Sequence, residues 1–325
     1  MPVVSNHQSI QAGILADFKD FWRQGFPVFK KQQERMCRVI PPNNLRTITE
    51  VWKESVPFPE YWAYGAGRKV QTFKDINTTL GKWNYELTIG WSRFDEEDDQ
   101  LGDLRTHIQS GVGRYKMLTD ALIAEYLNNS ASLNPAILNA YDGAVLISTT
   151  DGDGAARFGV TGGNLVDGAG NTPDGLIHDL AIIQQRLLAA VDPTAGKPIF
   201  SPEDAAYSKM LCIVPKELNE LFQKTAESEN IKLASNNMVS ESNYMKGKFE
   251  WEANNYLTDT SDWFVVIQHS FFKPLMLREP SAPEVVFADM SNSDSARDTG
   301  EYKAHSHVRT AIGPFFPFSI FKVNN

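Results

Sequence analysis

The chain has 325 residues, 42% of them hydrophobic and 22% charged, which is typical of a globular protein with a large core. No run reaches the roughly 18 apolar residues that a membrane-spanning helix needs, and the N-terminus lacks the pattern of a secretory signal. The net charge of −9 argues against sequence-specific nucleic-acid binding through a basic face. The two cysteines, Cys37 and Cys212, are too few for a disulfide scaffold. We therefore expect a cytoplasmic protein with no membrane partner.

The N-terminal residues predict an arm rather than a packed unit. Apolar residues recur at helical spacing between residues 8 and 24, and five prolines follow between Pro27 and Pro59. Such a segment cannot bury both of its faces alone, so we expect it to lie across the rest of the protein or across a neighbour. Six basic residues between positions 19 and 38 favour a solvated helix face, with contact to an acidic partner surface as the alternative.

Residues 83–92 alternate strictly between apolar and polar or small side chains, which predicts a β-strand. The preceding residues 68–82 predict its partner in a projecting hairpin that turns near Gly81. A two-stranded ribbon is marginally stable alone, so we expect its aromatic face to need a covering surface. The aromatic residues of that face are Trp83, Tyr85 and Trp91.

A long helix is predicted from about residue 96 to residue 128. Its apolar residues step by three or four along the chain: Leu101, Leu104, Ile108, Val112, Tyr115, Leu118, Leu122 and Tyr126. Six carboxylates lie at its beginning: Asp95, Glu96, Glu97, Asp98, Asp99 and Asp103. These carboxylates favour a structural role, since negative charge stabilises the positive end of a helix. A divalent-metal or acid–base site at Asp95, Asp98 and Asp99 is the alternative.

The remainder of the chain predicts a mixed body. Residues 130–175 are rich in glycine and small polar residues, which predicts loops with short strands. A second amphipathic helix follows Pro173, and a strand-to-helix unit occupies residues 209–228. The segments 263–288 and 301–323 predict long strands that close the sheets. The order of elements indicates an α+β class.

No catalytic constellation stands out. The chain has no serine-hydrolase, zinc-protease, phosphate-loop or dinucleotide-binding motif. Asp151 and Asp153 resemble half of a calcium loop, but the loop's glutamate is missing, so we predict a glycine-rich turn. His305 and His307 share one face of a strand, and no third ligand can be named for a metal there. We therefore expect no enzymatic activity, no metal and no cofactor.

Several sequence blocks resemble the major capsid proteins of tailed bacteriophages, specifically the Mu-like major head subunit family. The most specific block is KWNYELTIGWSRFDEEDDQLG at 82–102. The other blocks, in the family's order, are FPEYWAYGAGRKV (58–70), YDGAVLISTTD (141–151), LCIVPKEL (211–218), YLTDTSDWFVV (256–266) and KPLMLR (273–278). The chain departs from the family pattern at Leu146 and Ile147, where a phenylalanine and a histidine are usual.

The resemblance implies the Hong Kong ninety-seven-like capsid fold, with expected boundaries along the chain. Residues 1–57 would form the N-terminal arm, and 58–94 the extended hairpin loop that overlaps a neighbouring subunit. Residues 95–134 would hold the spine helix of the peripheral domain, and 135–260 the axial domain. Residues 261–325 would supply strands that return to both domains.

The resemblance further implies a non-enzymatic shell subunit of the virion, assembled in the bacterial host cytoplasm. Copies would form pentamers and hexamers of an icosahedral head around double-stranded DNA, with portal and scaffold or decoration proteins as partners. Candidate residues for contacts between subunits are Trp83, Tyr85, Trp91, Arg93, Asp98, Asp99, Arg68 and Lys69. An encapsulin-like nanocompartment with the same fold is one alternative, and a carboxylate-based metal-dependent hydrolase is another.

Overall fold

The computed structural model describes residues 30–53, 59, 61–62, 64–65, 67–68, 75–92, 94, 101–192, 196–232, 240–280, 284–288 and 293–325. Its helices are α1 (Lys30–Met36), α2 (Leu101–Asn128), α3 (Pro173–Ala189), α4 (Asn219–Glu227) and α5 (Asp294–Thr299). The first eight strands are β1 (Cys37–Ile40), β2 (Ile48–Lys53), β3 (Asp75–Leu80), β4 (Trp83–Ser92), β5 (Leu165–Asp167), β6 (Met210–Val214), β7 (Asn230–Lys232) and β8 (Ser240–Ser242). The last six are β9 (Glu250–Ala253), β10 (Trp263–Ile267), β11 (Leu275–Arg278), β12 (Glu284–Ala288), β13 (Glu301–Pro314) and β14 (Ile320–Asn324).

Two five-stranded sheets form the body. The first sheet has the order β1-β11-β13-β12, and β4 also pairs with β13. The second sheet has the order β5-β14-β10-β6-β9. Helices and strands both contribute to the described core, so the α+β class is confirmed.

The predicted pairing of residues 68–82 with residues 83–92 is wrong. Strand β3 pairs antiparallel with β2, from Ile48 opposite Leu80 to Lys53 opposite Asp75. Strand β4 pairs antiparallel with β13 over ten residues, the full length of β4. The fourteen-residue β13 offers β4 more backbone partners than the six-residue β3 can, although β3 is its neighbour in sequence.

Helix α2 confirms the predicted long helix over residues 101–128. Its 28 residues span roughly 42 Å at about 1.5 Å per residue. The predicted apolar positions Tyr115, Leu122 and Tyr126 are all buried. Residues 95–100, where the acidic beginning of the helix was predicted, lie outside the described part of the chain.

The second predicted helix is also confirmed, as α3. Thr172 caps it, because its side-chain oxygen accepts a hydrogen bond from the Gly175 amide. The predicted apolar face is buried at Leu176, Leu180, Ile183 and Leu187. This face packs into the larger of the two main cores, which also contains residues of β6, β10 and β14. Within the described ranges, no helix is long and apolar enough to cross a membrane.

Candidate assembly site

The aromatic face of β4 is covered inside its own subunit. Burial alternates along the strand, with the odd-numbered positions from Trp83 to Trp91 on the more buried face. Trp91 is 8% exposed and makes edge-on contacts with Phe287 and Tyr302, at ring-centroid distances of 6.4 and 6.2 Å. This end of the face therefore packs on residues of β12 and β13.

The middle of the same face packs on helix α2. Tyr85 contacts the cluster formed by Tyr115 and Val308, and burial raises the pKa of the Tyr85 phenol above its ordinary value. Trp83 is half-buried between the two main cores of the subunit. The covering surface that this face was predicted to need is supplied by α2, β12 and β13 of the same chain. A role for Trp83, Tyr85 and Trp91 in contacts between subunits stays a prediction.

Helix α2 is joined to this layer by a hydrogen bond as well as by apolar contact. The Tyr115 hydroxyl donates to the backbone oxygen of Ser306, at 2.7 Å, and lies 2.9 Å from its side-chain oxygen. The Ser306 hydroxyl in turn donates to the Leu87 backbone oxygen, at 2.7 Å. Helix α2, β13 and β4 are thus linked at one point, which fixes where the long helix crosses the first sheet.

Of the other candidates, Arg68 alone lies within the described residues. Its side chain is exposed, and its guanidinium carbon lies 5.4 Å from the centre of the Trp62 ring, a cation–π distance. Arg93, Lys69, Asp98 and Asp99 lie outside the described residues.

The connection between β2 and β3 carries an exposed aromatic segment, defined here as Tyr61, Trp62 and Tyr64. These side chains are 93%, 50% and 99% exposed. Gly65 follows with a φ of +84°, a left-handed conformation that favours glycine. Exposed aromatic side chains this close together make the segment a candidate interaction surface. The sequence reasoning overlooked this segment as a site, although three aromatic residues among glycine and proline between two strands were a usable signal.

The histidine pair and the aspartate loop that the sequence offered as weaker candidates make local contacts in the structure. Among the described residues, no three His, Cys, Asp or Glu side chains are grouped as a metal site. His305 Nδ1 lies 3.0 Å from the Thr88 hydroxyl, and His307 Nε2 lies 3.4 Å from a Glu284 carboxylate oxygen. The predicted glycine-rich turn is confirmed, since the Asp151 carboxylate accepts hydrogen bonds from the amides of Asp153 and Ala155, at 3.1 and 2.8 Å.

Both cysteines are buried thiols. Cys37 lies at the start of β1, beside Lys273, and Cys212 lies in the centre of β6. Burial raises the pKa of each thiol above its ordinary value. Raised thiol pKa values work against nucleophilic or metal-binding chemistry, because both need the thiolate.

The structure resembles solved capsid structures over most of its length. The capsid of the empty GTA particle matches with a TM-score of 0.57 and 10% identity, covering 90% of this chain and 88% of that one. The capsid of Ralstonia phage GP4 matches with a TM-score of 0.53 and 10% identity (90% and 89% covered), and a chain of Mycobacterium phage Patience with 0.51 and 13% (98% and 86% covered). At these identities the likeness shows the fold.

A match to a family model identifies the family, which the fold alone does not. No curated protein matches the chain. Residues 11–172 match the family described as Mu-like prophage major head subunit gpT. This match includes β2, β3, β4 and α2, the elements that carry the exposed aromatic segment and the long helix. The chain belongs to the Mu-like major head subunit family of tailed phages and has the phage capsid fold.

Proposed function

We propose that this chain is the major subunit of a phage head, and that its copies assemble as pentamers and hexamers into a closed icosahedral shell. The observation that carries the proposal is the exposed aromatic segment between β2 and β3, in a chain whose family forms heads. Exposed aromatic rings are costly in water unless a partner covers them, and in a shell the partner is a second copy.

In this proposal the extended loop is built on the β2–β3 ribbon instead of on a hairpin of β3 with β4. Each arm has six residues, roughly 20 Å at about 3.3 Å per residue. The loop would then run from Ile48 to Leu80, and β4 would belong to the body. The ten pairs between β4 and β13 support this revised boundary at the C-terminal side of the loop.

The other domain boundaries remain proposals with support from the pairing. Helix α2 and the first sheet would form the peripheral domain, because α2 packs on β4 and β13. The second sheet would form the axial domain. It combines strands from 135–260 with β10 and β14, which agrees with the expectation that residues 261–325 return to both domains.

The proposed contents of the shell are double-stranded DNA, held without sequence-specific contacts. The net charge of −9 supports a shell wall that binds the DNA weakly, because binding to the DNA phosphate backbone needs a surplus of basic residues. Portal and scaffold or decoration proteins are proposed partners, with assembly in the host cytoplasm before the subunit becomes part of the virion.

Electron microscopy of the purified protein, paired with light scattering for mass, tests the proposal. We expect closed shells or rings of five or six subunits, and nuclease-protected DNA in particles from infected cells. A protein that stays monomeric at every salt and protein concentration, alone and with lysate of phage-infected cells, contradicts the proposal. Shells that hold a protein cargo and no DNA would point to a nanocompartment instead.

A further inference from the structure

A cationic cavity lies at the base of the β2–β3 ribbon. It has a volume of about 360 Å³ and is open to the surface. Its lining contains Lys82, just before β4, Arg278, the last residue of β11, and Arg309 of β13. The residue before β4, the end of β11 and the middle of β13 thus bring three positively charged side chains to one cavity.

Two of these cations share one neutral acceptor. Lys82 Nζ and Arg278 Nη2 both donate hydrogen bonds to the backbone oxygen of Asn43, the latter at 3.1 Å. Arg278 Nη2 also donates to the Asn43 side chain and to the Leu45 backbone oxygen. Burial, together with the nearby Arg278 and Arg309 guanidinium groups, lowers the pKa of Lys82. Lys82 and Arg278 are therefore held together around one neutral oxygen.

Arg278 is the strongest sign of a missing ligand. Its side chain is 1% exposed, and its Nε and Nη1 atoms have no hydrogen-bond partner among the described residues. A buried guanidinium group without a carboxylate is costly, since each unpaired charged donor loses the water that it binds in the unfolded chain. Burial lowers the pKa of Arg278 for the same reason.

Two carboxylates, Glu279 and Glu284, also line the cavity and reduce its net positive charge. Glu284 is paired with His307, at 3.4 Å, and its side chain is 74% exposed. Glu279 is exposed and is positioned by its backbone amide, which donates to the Ile40 oxygen. In the described part of the chain, neither forms an ion pair with Lys82, Arg278 or Arg309.

We propose that this cavity binds an oxyanion, either a carboxylate or a phosphate, between Arg278 and Lys82. A guanidinium N–H donates a charge-assisted hydrogen bond to such an anion, and Arg278 has unused donors at Nε and Nη1, while Nη2 holds Asn43 and Leu45. The anion can come from solution or from an Asp or Glu side chain of a second copy of the chain, which carries 40 such residues. The second source rests on the proposed shell, whereas the first does not.

A titration with inorganic phosphate tests the free-anion source. The thermal unfolding temperature of the purified full-length protein is measured at constant ionic strength, with chloride replaced by phosphate. A ligand that binds the folded state raises this temperature, so for the wild type the rise should begin near the phosphate Kd and then grow with the logarithm of the phosphate concentration. Lys82→Met and Arg309→Gln should each raise the phosphate concentration at which the rise begins at least tenfold, because each removes a positive charge from the cavity. Arg278 is left intact because it makes three hydrogen bonds to the Asn43–Leu45 loop, whereas Lys82 makes one.

The matched control is Lys216→Met, which removes an exposed lysine remote from the cavity in sequence and paired with Glu217. It should respond to phosphate as the wild type does. An equal response in the wild type and both cavity variants would show an adventitious ion only and would overturn the free-anion source.

Assembled particles test the neighbour as the source. If a carboxylate of another copy fills the cavity, phosphate has no effect on shells. Lys82→Met then lowers the yield of shells relative to Lys216→Met, and a high-resolution map shows an Asp or Glu of that copy beside Arg278. The proposal is overturned if phosphate has no effect before or after assembly and Lys82→Met assembles like the control. If no shells form at all, the proposed function fails while the titration of the unassembled protein still decides the anion site.

Discussion

The guanidinium group of Arg157 donates two hydrogen bonds to the carboxylate of Asp142, from Nε at 2.5 Å and from Nη2 at 2.8 Å. Its third nitrogen donates to the Leu146 backbone oxygen at 2.8 Å and to the Asn164 side-chain oxygen at 3.2 Å. Arg157 is 1% exposed, so its guanidinium group depends on these contacts rather than on water. The Asn164 amide continues the network to the backbone oxygens of Pro317 and Ile320, which ties the loop to β14.

We predict that Asp142→Asn lowers the free energy of unfolding by roughly 3 kcal/mol, because it leaves a buried guanidinium charge without its carboxylate. Urea unfolding monitored by circular dichroism measures this difference. Asp153→Asn is the matched control, since Asp153 is exposed in the adjacent turn and should cost less than about 0.5 kcal/mol. Equal changes in unfolding free energy for the two variants would mean that the buried ion pair stabilises the fold no more than an exposed carboxylate does.

A second prediction separates tryptophans of the core from those of the surface. Trp91→Ala should lower subunit stability by roughly 3–5 kcal/mol, because Trp91 packs on Phe287 and Tyr302. Trp62→Ala should change stability by less than about 1 kcal/mol and instead reduce shell assembly, because Trp62 is 50% exposed in the aromatic segment. Chemical unfolding of the subunit and sedimentation of assembly reactions measure the two effects.

The contrast between these two variants is decisive for the extended-loop proposal. A Trp62→Ala protein that assembles as well as the wild type would remove the aromatic segment from the contacts between subunits. A Trp91→Ala subunit that keeps its stability and fails to assemble would restore the original interpretation of the β4 face.

A third prediction concerns the turn that ends helix α2. The Glu125 carboxylate is 6% exposed and accepts hydrogen bonds from the amides of Ser132, Leu133 and Asn134 and from the Asn134 side chain. Glu125→Gln places an amide NH₂ against these donors, so we expect a loss of roughly 2 kcal/mol. Hydrogen exchange of the 132–134 amides should accelerate together with the loss of stability.

Glu220→Gln provides the control for the Glu125 variant. Glu220 is exposed on α4 and pairs with Lys224 one turn away, an interaction worth less than about 0.5 kcal/mol. Unchanged exchange at residues 132–134 in the Glu125 variant would show that another group holds this loop.

The elements that the sequence predicted well are those whose signal is local. Helix α2 and helix α3 follow from apolar residues at helical spacing, and β4 follows from strict alternation. In each case the periodicity is set by the geometry of a single element. The buried face of such an element could therefore be named before its partner was known.

The partners themselves depend on distant residues and could not be predicted in this way. Thr310 opposite Trp83 and Leu275 opposite Cys37 are separated by more than two hundred positions. The cationic cavity likewise joins Asn43, Lys82 and Arg278. Neighbouring strands in sequence pair only about two-thirds of the time, so assigning β3 to β4 followed a general preference that β13 overrides here.

The last prediction concerns Asp120, a carboxyl group of α2 that is 4% exposed and has one oxygen without a hydrogen-bond partner among the described residues. Burial, together with the nearby charge of Glu252, raises the pKa of Asp120 from 3.8 to about 7. The folded state therefore holds this proton more tightly than the unfolded state does. The loss of unfolding free energy that results from this shift is zero below about pH 4. It grows as the pH rises towards 7 and is constant above about pH 7.

Asp120→Asn removes this ionisation and keeps the shape of the side chain. We expect the variant to be more stable than the wild type at pH 8, by at most roughly 4 kcal/mol at about 1.4 kcal/mol per pKa unit, and nearly equal to it at pH 4. Urea unfolding at pH 4, 6 and 8 measures the difference, and Asp298→Asn, at an exposed position of α5, accounts for the loss of one negative charge. A variant that is less stable than the wild type at pH 8 would show that the ionised carboxylate has a partner that stabilises it, and that α2 tolerates the charge.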